Sequence, residues 1–403
     1  MIDLEPTDVA HGGEAVARLD GKAYFVDGAM PGEHVRGVVT KDAGSWARVE
    51  LREVVTASPH RIEPPCPLFG ACGGCQWQFA DYPAQLAWKR SILAGQLAHL
   101  GRVDGPPVRD TVAVGAPFGY RNRVDFQIAD GRPALSRRRS RLLQPIDECL
   151  LLHPALTDLV SRLGDLGAAV AVTLRVATAT GDCLAVVDGP VPPQASSWGC
   201  GVVQRRRDRL TPVVGSGSIV ETVAGVAFRI TGAAFFQSNT AGAEALVGLV
   251  AEALSPRPDE TMLDAYAGGG LFGLTVGRAA ARVVAVESAP AAADDLGHNA
   301  ASAPVPVRVV EGAVEAALPH LETRWDLAVA DPPRTGLGAS GVQAVVAGRP
   351  RAIAYVSCDP ASLARDTRLL VEAGYHLGWA APVDLFPQTF HVEAVAAFTV
   401  RGS

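Results

Sequence analysis

The chain has 403 residues, 48% of them hydrophobic and 19% charged, with a formal net charge of −6. That balance excludes a disordered or collagen-like chain and fits two or three globular domains. No run approaches about 18 uninterrupted apolar residues, and the acidic start MIDLEPTDVAHGG lacks a signal-peptide core, so a cytoplasmic protein without a membrane span is expected. In that compartment the seven cysteines serve more often as ligands or catalysts than in disulfides.

Residues 1–57 alternate apolar and polar positions and break at Asp20-Gly21, Asp27-Gly28 and Pro31-Gly32. This predicts the short strands of a small five-stranded, OB-like β-barrel, a shape used to hold single-stranded nucleic acid or simply to support packing.

Residues 58–230 read as an α+β domain opening with PHRIEPPCPLFGACGGCQWQ. Cys66, Cys72 and Cys75 are spaced C-x5-C-x2-C in a loop rich in proline and glycine, and Cys149 follows far downstream in IDECLLLHP. Four thiolates can hold a [4Fe–4S] cluster or, as second choice, a tetrahedral zinc, although spacing alone ties Cys149 less firmly to the set. The spacing differs from the C-x3-C-x2-C of radical enzymes, which argues against radical chemistry. Cys183 and Cys200 read as structural. Residues 120–146 carry seven arginines against Asp125 and Asp130, and QRRRDR stands at 204–209. Such stripes on an acidic chain bind phosphates locally or form solvated faces.

From residue 231 the texture changes. TMLDAY, RVVAVE, VPVRVV, WDLAVA and RAIAYV are short β runs, and most of the segments between them are helical in pattern. Alternating β and α units predict a Rossmann-like parallel sheet over 231–403, with ligands at its carboxyl edge. LDAYAGGGLFG leaves a strand and opens a helix, and Gly268, Gly270 and Gly273 match G-x-G-x-x-G. Glycines there permit a tight turn and close approach of a cofactor. Glu287 ends the next β run, where a carboxylate can take both ribose hydroxyls. These features suit NAD or S-adenosylmethionine equally.

DPPRTG, with Asp331 at the end of its strand, favours the methyl donor. In Rossmann-type methyltransferases a D-P-P loop lines the junction of donor and planar base, and dehydrogenases have no standard use for it. The next run delivers Cys358 in YVSCDPASLARD, and a later one reaches Glu393 in DLFPQTFHVEAV. A thiolate adding to C6 of a uracil makes C5 nucleophilic; once C5 is methylated, a base must remove its proton before the thiol can leave. Cys358, Glu393 and the glycine loop meet those requirements. A thiol with an ordinary pKa near 8.5 is only a few per cent ionised at neutrality, so the site is expected to favour the thiolate, helped by the helix opening at Pro360.

Taken in order, these motifs resemble the RNA uracil-5-methyltransferase family over nearly the whole length, its iron–sulfur branch in particular. HGGEAVARLDGKAYFVDGAMPGE resembles the RNA-binding TRAM barrel, CPLFGACGGCQWQ the cluster loop, and FFQSN, DAYAGGG, AVE, DPPR, YVSCDPASLARD and DLFPQTFHVE the catalytic part. The resemblance implies Cys358 as nucleophile and Glu393 as the base that takes the C5 proton. It implies methyl-donor contacts at Gln237, Tyr266, Glu287 and Asp331, beside the loop glycines Gly268 and Gly270. Cys66, Cys72, Cys75 and Cys149 become the cluster ligands. It further implies a monomer acting on RNA, ribosomal before transfer RNA, because the tRNA-modifying branch commonly lacks the cluster cysteines.

Three positions depart from the family: Leu271 in place of asparagine, Asp359 in place of the asparagine after the cysteine, and the bulky Phe390 before HVE. A carboxylate at 359 is expected to raise the thiol pKa unless neutralised. The rival readings are an NAD-dependent oxidoreductase, an RNA-binding protein with a vestigial site, m5U formation in tRNA, and an RNA cytosine-5 methyltransferase.

Overall fold

A computed structural model describes residues 1–207 and 209–400; Asp208, inside the second basic run, lies outside them. The N-terminal part has six strands rather than the expected five: Ile2–Leu4, Asp8–Val9, Ala15–Leu19, Lys22–Asp27, His34–Asp42 and Trp46–Thr56, all in one sheet. The extra pairings come from the short ends, Ile2–Leu4 on the fifth strand and Asp8–Val9 on the third. Three register shifts between the two longest strands bend the sheet around a core of small residues, including Ala15, Ala17, Val26 and Val49.

The following region is built on a seven-stranded sheet running from Leu143–Pro145 at one edge to Arg209–Val214 at the other. The arginine run is largely engaged there. Arg138 pairs with Asp27, Arg139 with Glu14 and Asp27, and Arg132 with Asp147. Two of these arginines therefore fasten the N-terminal sheet to the central one and present less free charge than the sequence suggests.

Helix α1 (Tyr82–His99) starts at an Asp81 N-cap, with Pro83 in the first turn, and its buried face carries Trp88, Ile92, Leu93 and Leu97. Although it falls within 58–230, Leu93 and Leu97 join the core of the C-terminal sheet beside Ile353 and Leu363. Its other buried residues meet Val9, Met30, Trp77 and Val392 in a second core, so four parts of the chain converge on one helix.

The eight-stranded C-terminal sheet consists of β1 (Val112–Ala113), β2 (Thr261–Ala265), β3 (Arg282–Glu287), β4 (Val307–Glu311), β5 (Leu327–Ala330), β6 (Ala352–Ser357), β7 (Tyr375–Asp384) and β8 (Glu393–Val400). Its spatial order is β4-β3-β2-β5-β6-β8-β7-β1. Strands β2 to β6 are mutually parallel, and all but the edge strand β4 are buried on both faces, which is why those four read as continuous apolar runs. The order reverses between β2 and β5, the place where α/β sheets open a crevice for ligands. Strand β8 inserts antiparallel between β6 and β7. Among the described residues no helix is long and apolar enough to cross a membrane.

Candidate active site

The carboxyl edge of this sheet gathers the predicted residues into two adjoining groups. On one side lies the glycine loop. Tyr266, Gly268 and Gly270 all adopt positive φ, turning the chain sharply between β2 and the short helix α2 (Leu271–Thr275). Gly268 donates its N–H to Glu287 Oε2 at 2.8 Å, and the other Glu287 oxygen accepts from Ala289 N. The carboxylate at the end of β3 thus holds the loop from beneath. A Cβ on Gly273 would stand 2.8 Å from Asp264 Oδ2, an oxygen that already accepts the Gly273 N–H, so no larger residue fits. Burial pushes the Asp264 carboxyl up to about 7. The Tyr266 hydroxyl donates to Glu315. Gln237 is buried beside the exposed Phe235.

On the other side are Asp331, Cys358 and Glu393. Asp331 follows β5, and its N–H donates to Ala265 O of β2. Its loop is fastened to the helix after Cys358, α3 (Pro360–Glu372): Asp366 accepts from Leu337 N, Gly338 N and Tyr355 OH, and Ser362 donates to Arg334 O. Ser357 is the register partner of Ala394, so Cys358 and Glu393 leave neighbouring strands side by side.

Electrostatically this second group is dominated by burial. The Cys358 thiol is pushed up to about 11, first by desolvation, then by Glu393 and Asp331, with Arg334 opposing. In the ligand-free protein the site therefore favours the thiol, contrary to the expectation from sequence, because burial and then two carboxyls outweigh Arg334 and a backbone hydrogen bond. Glu393 is raised well above the usual carboxylate range by burial and Asp331, with Arg334 and Lys89 pulling it down. Burial alone raises Asp331 to about 7.

The departures from pattern now have physical accounts. Asp359 turns both of its carboxylate oxygens to other partners. Its Oδ1 caps α3 by accepting from Ser362 N, and its Oδ2 lies 3.6 Å from His11 Nε2 of the N-terminal sheet. Leu271 is buried in the core. Phe390 lies against Gly13, where an added Cβ would stand 2.9 Å from the Phe390 Cβ, so the bulk docks the loop onto the N-terminal sheet.

Cys66, Cys72, Cys75 and Cys149 line one cavity of about 490 Å³, together with Arg121, Phe390 and other residues. The loop sits on the end of the central sheet through Gly73 N to Ser136 O, an approach so close that a Cβ would meet that oxygen at 2.9 Å. Gly74 N–H donates to Cys72 Sγ at 3.4 Å. Burial raises Cys72 and Cys149 and brings Cys75 up to about 12. Among the described residues no three His, Cys, Asp or Glu side chains converge tightly enough to hold a metal ion as they stand.

The chain is 36% identical to an uncharacterized RNA methyltransferase from Gloeobacter violaceus, across 98% of its own length and 95% of the relative's. It is 34% identical to an uncharacterized RNA methyltransferase from Streptomyces avermitilis, across 98% and 97%. The chain belongs to the RNA methyltransferase family. No family model matches it. The fold of this methyltransferase is similar to that of the Pyrococcus abyssi tRNA (uracil-54, C5)-methyltransferase in complex with S-adenosyl-L-homocysteine. That likeness has a TM-score of 0.79 at 23% identity and covers 99% of this chain and all of the other.

Sequence reasoning missed several neighbours of the site. Arg334 of DPPRTG acts on the Cys358 thiol, and nothing in its local pattern marks that role. Lys89 and Gln85 on α1, Tyr120 and His11 reach the site from hundreds of residues away, and no local pattern marks them.

Proposed function

We propose that this enzyme transfers a methyl group from S-adenosylmethionine to C5 of a uridine in structured RNA, ribosomal RNA before transfer RNA. The observation that carries the reading is the pairing of Cys358 with Glu393 on adjacent antiparallel strands, next to the Asp331 loop. Bound in the crevice over the glycine loop, S-adenosylmethionine supplies an electrophilic methyl group. Gln237, Tyr266, Gly268, Gly270, Glu287 and Asp331 are the residues assigned to hold it.

The Cys358 sulfur adds to C6, and the electron pair displaced from C5=C6 makes C5 the nucleophile that takes the methyl group. Glu393 then accepts the C5 proton; the C–H pair re-forms C5=C6 while the C6–S bond breaks and returns the thiolate. The raised pKa of Glu393 helps it hold the abstracted proton, and the carboxyl sheds its own proton before it acts. For the addition the Cys358 thiol gives its proton up to solvent, with Arg334 favouring the thiolate, so that Glu393 stays free for the C5 proton. Arg334 and Arg121 offer positive charge for RNA phosphates beside this edge.

Cys66, Cys72, Cys75 and Cys149 are assigned as ligands of a [4Fe–4S] cluster. Four thiols around one roomy cavity, with a glycine N–H already aimed at one sulfur, support that fit. The N-terminal sheet is assigned as a TRAM-type RNA-binding module. Nucleoside mass spectrometry with mapping, on RNA from cells lacking the protein, tests the function. Loss of C5-methyluridine at one position supports it, and an unchanged nucleoside profile refutes it.

A further inference from the structure

The loop that carries Glu393 from β7 to β8 contains no regular structure, yet it is held from several sides. The side chain of Lys89 on α1 is fully buried and reaches three acceptors in it: Asp384 Oδ1 at 2.5 Å, Phe386 O at 3.1 Å and His391 O at 2.8 Å. Asp384 ends β7 and His391 lies two residues before Glu393, so one ammonium closes both ends of the loop.

The turn between those ends is fixed independently. Gln388 has φ 71°, a strained value for a residue with a side chain, and its backbone is bonded on both sides. Its O accepts from Gln76 N and Trp77 N, directly after Cys75, and its N–H donates to Gln85 Oε1. Tyr120 OH donates to Pro387 O, and Asn239 Nδ2 to Leu385 O.

A buried lysine is costly, and a buried ion pair adds little net stability compared with apolar packing. Desolvation lowers the Lys89 pKa, with Asp384 and then Glu393 acting against it. A hydrophobic residue in this core would serve stability as well. What it could not do is join two backbone carbonyls and a carboxylate at one point, and a base must be held within about 0.5 Å of its productive position.

We propose that Lys89 is a positioning residue for proton abstraction: by closing the 384–391 loop on itself it fixes the Glu393 carboxylate against C5 of the bound uracil. This rests on the function proposed above. Lys89 touches neither RNA nor methyl donor. Its effect falls on the one step that needs Glu393, after the Cys358–C6 and C5–methyl bonds have formed. Losing it leaves those bonds to form, while the C5 proton stays and the C6–S bond does not break.

The test is Lys89→Met, with Lys89→Met/Asp384→Leu as the companion that removes both charges, each incubated with labelled S-adenosylmethionine and total RNA from cells lacking the protein. The expected result is turnover lower by about 100-fold, together with accumulation of a denaturant-resistant, methyl-labelled protein–RNA adduct that the wild type does not build up. A purely structural lysine would instead lower adduct formation and turnover in parallel, or leave both unchanged in the double variant; either result overturns the proposal. If the wild type makes no C5-methyluridine at all, the uracil reading itself fails. If it does, and release by the variants is normal, only the role of Lys89 fails.

Discussion

Ser357 and Ala394 are register partners across β6 and β8, and that single pairing sets Cys358 beside Glu393. The two residues come from a parallel strand's end and an antiparallel strand's start, so they meet only because β8 slots between β6 and β7. The proposed chemistry depends on this adjacency.

Cys358→Ala is expected to abolish both methylation and the covalent adduct with 5-fluorouracil RNA. Glu393→Gln should form the methylated adduct on ordinary RNA and release it about 10²- to 10⁴-fold more slowly, the usual range for loss of a general base. Gel analysis of the adducts separates the two variants. Equal loss of adduct in both would contradict the division of labour.

The raised thiol has a kinetic consequence. With a pKa of about 11, about one Cys358 in 10⁴ is ionised at pH 7, and the ionised fraction grows about tenfold per pH unit up to that value. Alkylation of the Cys358 peptide in the ligand-free protein, followed by mass spectrometry, should therefore climb steadily from pH 7 to 10. Arg334→Gln should lower the rate throughout, because a cation favouring the thiolate is gone. A plateau near pH 8 would refute the assignment.

Asp359→Asn should leave that alkylation profile within about 0.5 pH unit of wild type, since both carboxylate oxygens face other partners, Ser362 N and His11 Nε2. An asparagine can still accept from Ser362 N, so stability should hold. Asp359→Ala loses the cap and should cost about 1 kcal/mol in chemical denaturation.

Asp264 couples stability to pH. Its carboxyl titrates near 7 in the folded chain against 3.8 as the ordinary value, so between those values the folded state binds more protons than the unfolded one. Stability contributed by the protonated form is complete below about 3.8 and is lost as pH rises through about 7. Asp264→Asn keeps an acceptor for Gly273 N–H and should flatten this dependence, by up to about 4 kcal/mol at pH 8. Denaturant melts at pH 5 and pH 8 provide the check; parallel shifts in both proteins would show the burial effect to be absent.

The cysteine loop is joined to the base loop, because Gln76 and Trp77 follow Cys75 and both bond Gln388 O. Cys75→Ser should lose iron, read from absorbance after anaerobic purification, and should lower turnover while S-adenosylmethionine affinity, measured by calorimetry, stays within about twofold. Loss of donor affinity in step with turnover would show a general collapse instead.

The sequence alone determined the local pieces: apolar runs that become the parallel strands, a glycine loop after β2, Asp331 and Cys358 at strand ends, and a cysteine-bearing loop rich in glycine. These are legible because each reflects hydrogen bonding and side-chain direction within one element or turn. Nothing local marked the sixth N-terminal strand, with Ile2–Leu4 pairing on His34–Asp42, nor a thiol pushed up by burial and by the distant Glu393 and Asp331. Only the tertiary structure decided that β8 would lie next to β6, that Arg138 and Arg139 would fasten two sheets, and that Lys89 would reach Asp384 and His391 across 295 and 302 positions of sequence. Packing of buried surfaces sets such contacts, and no periodicity along the chain encodes which distant surfaces will meet.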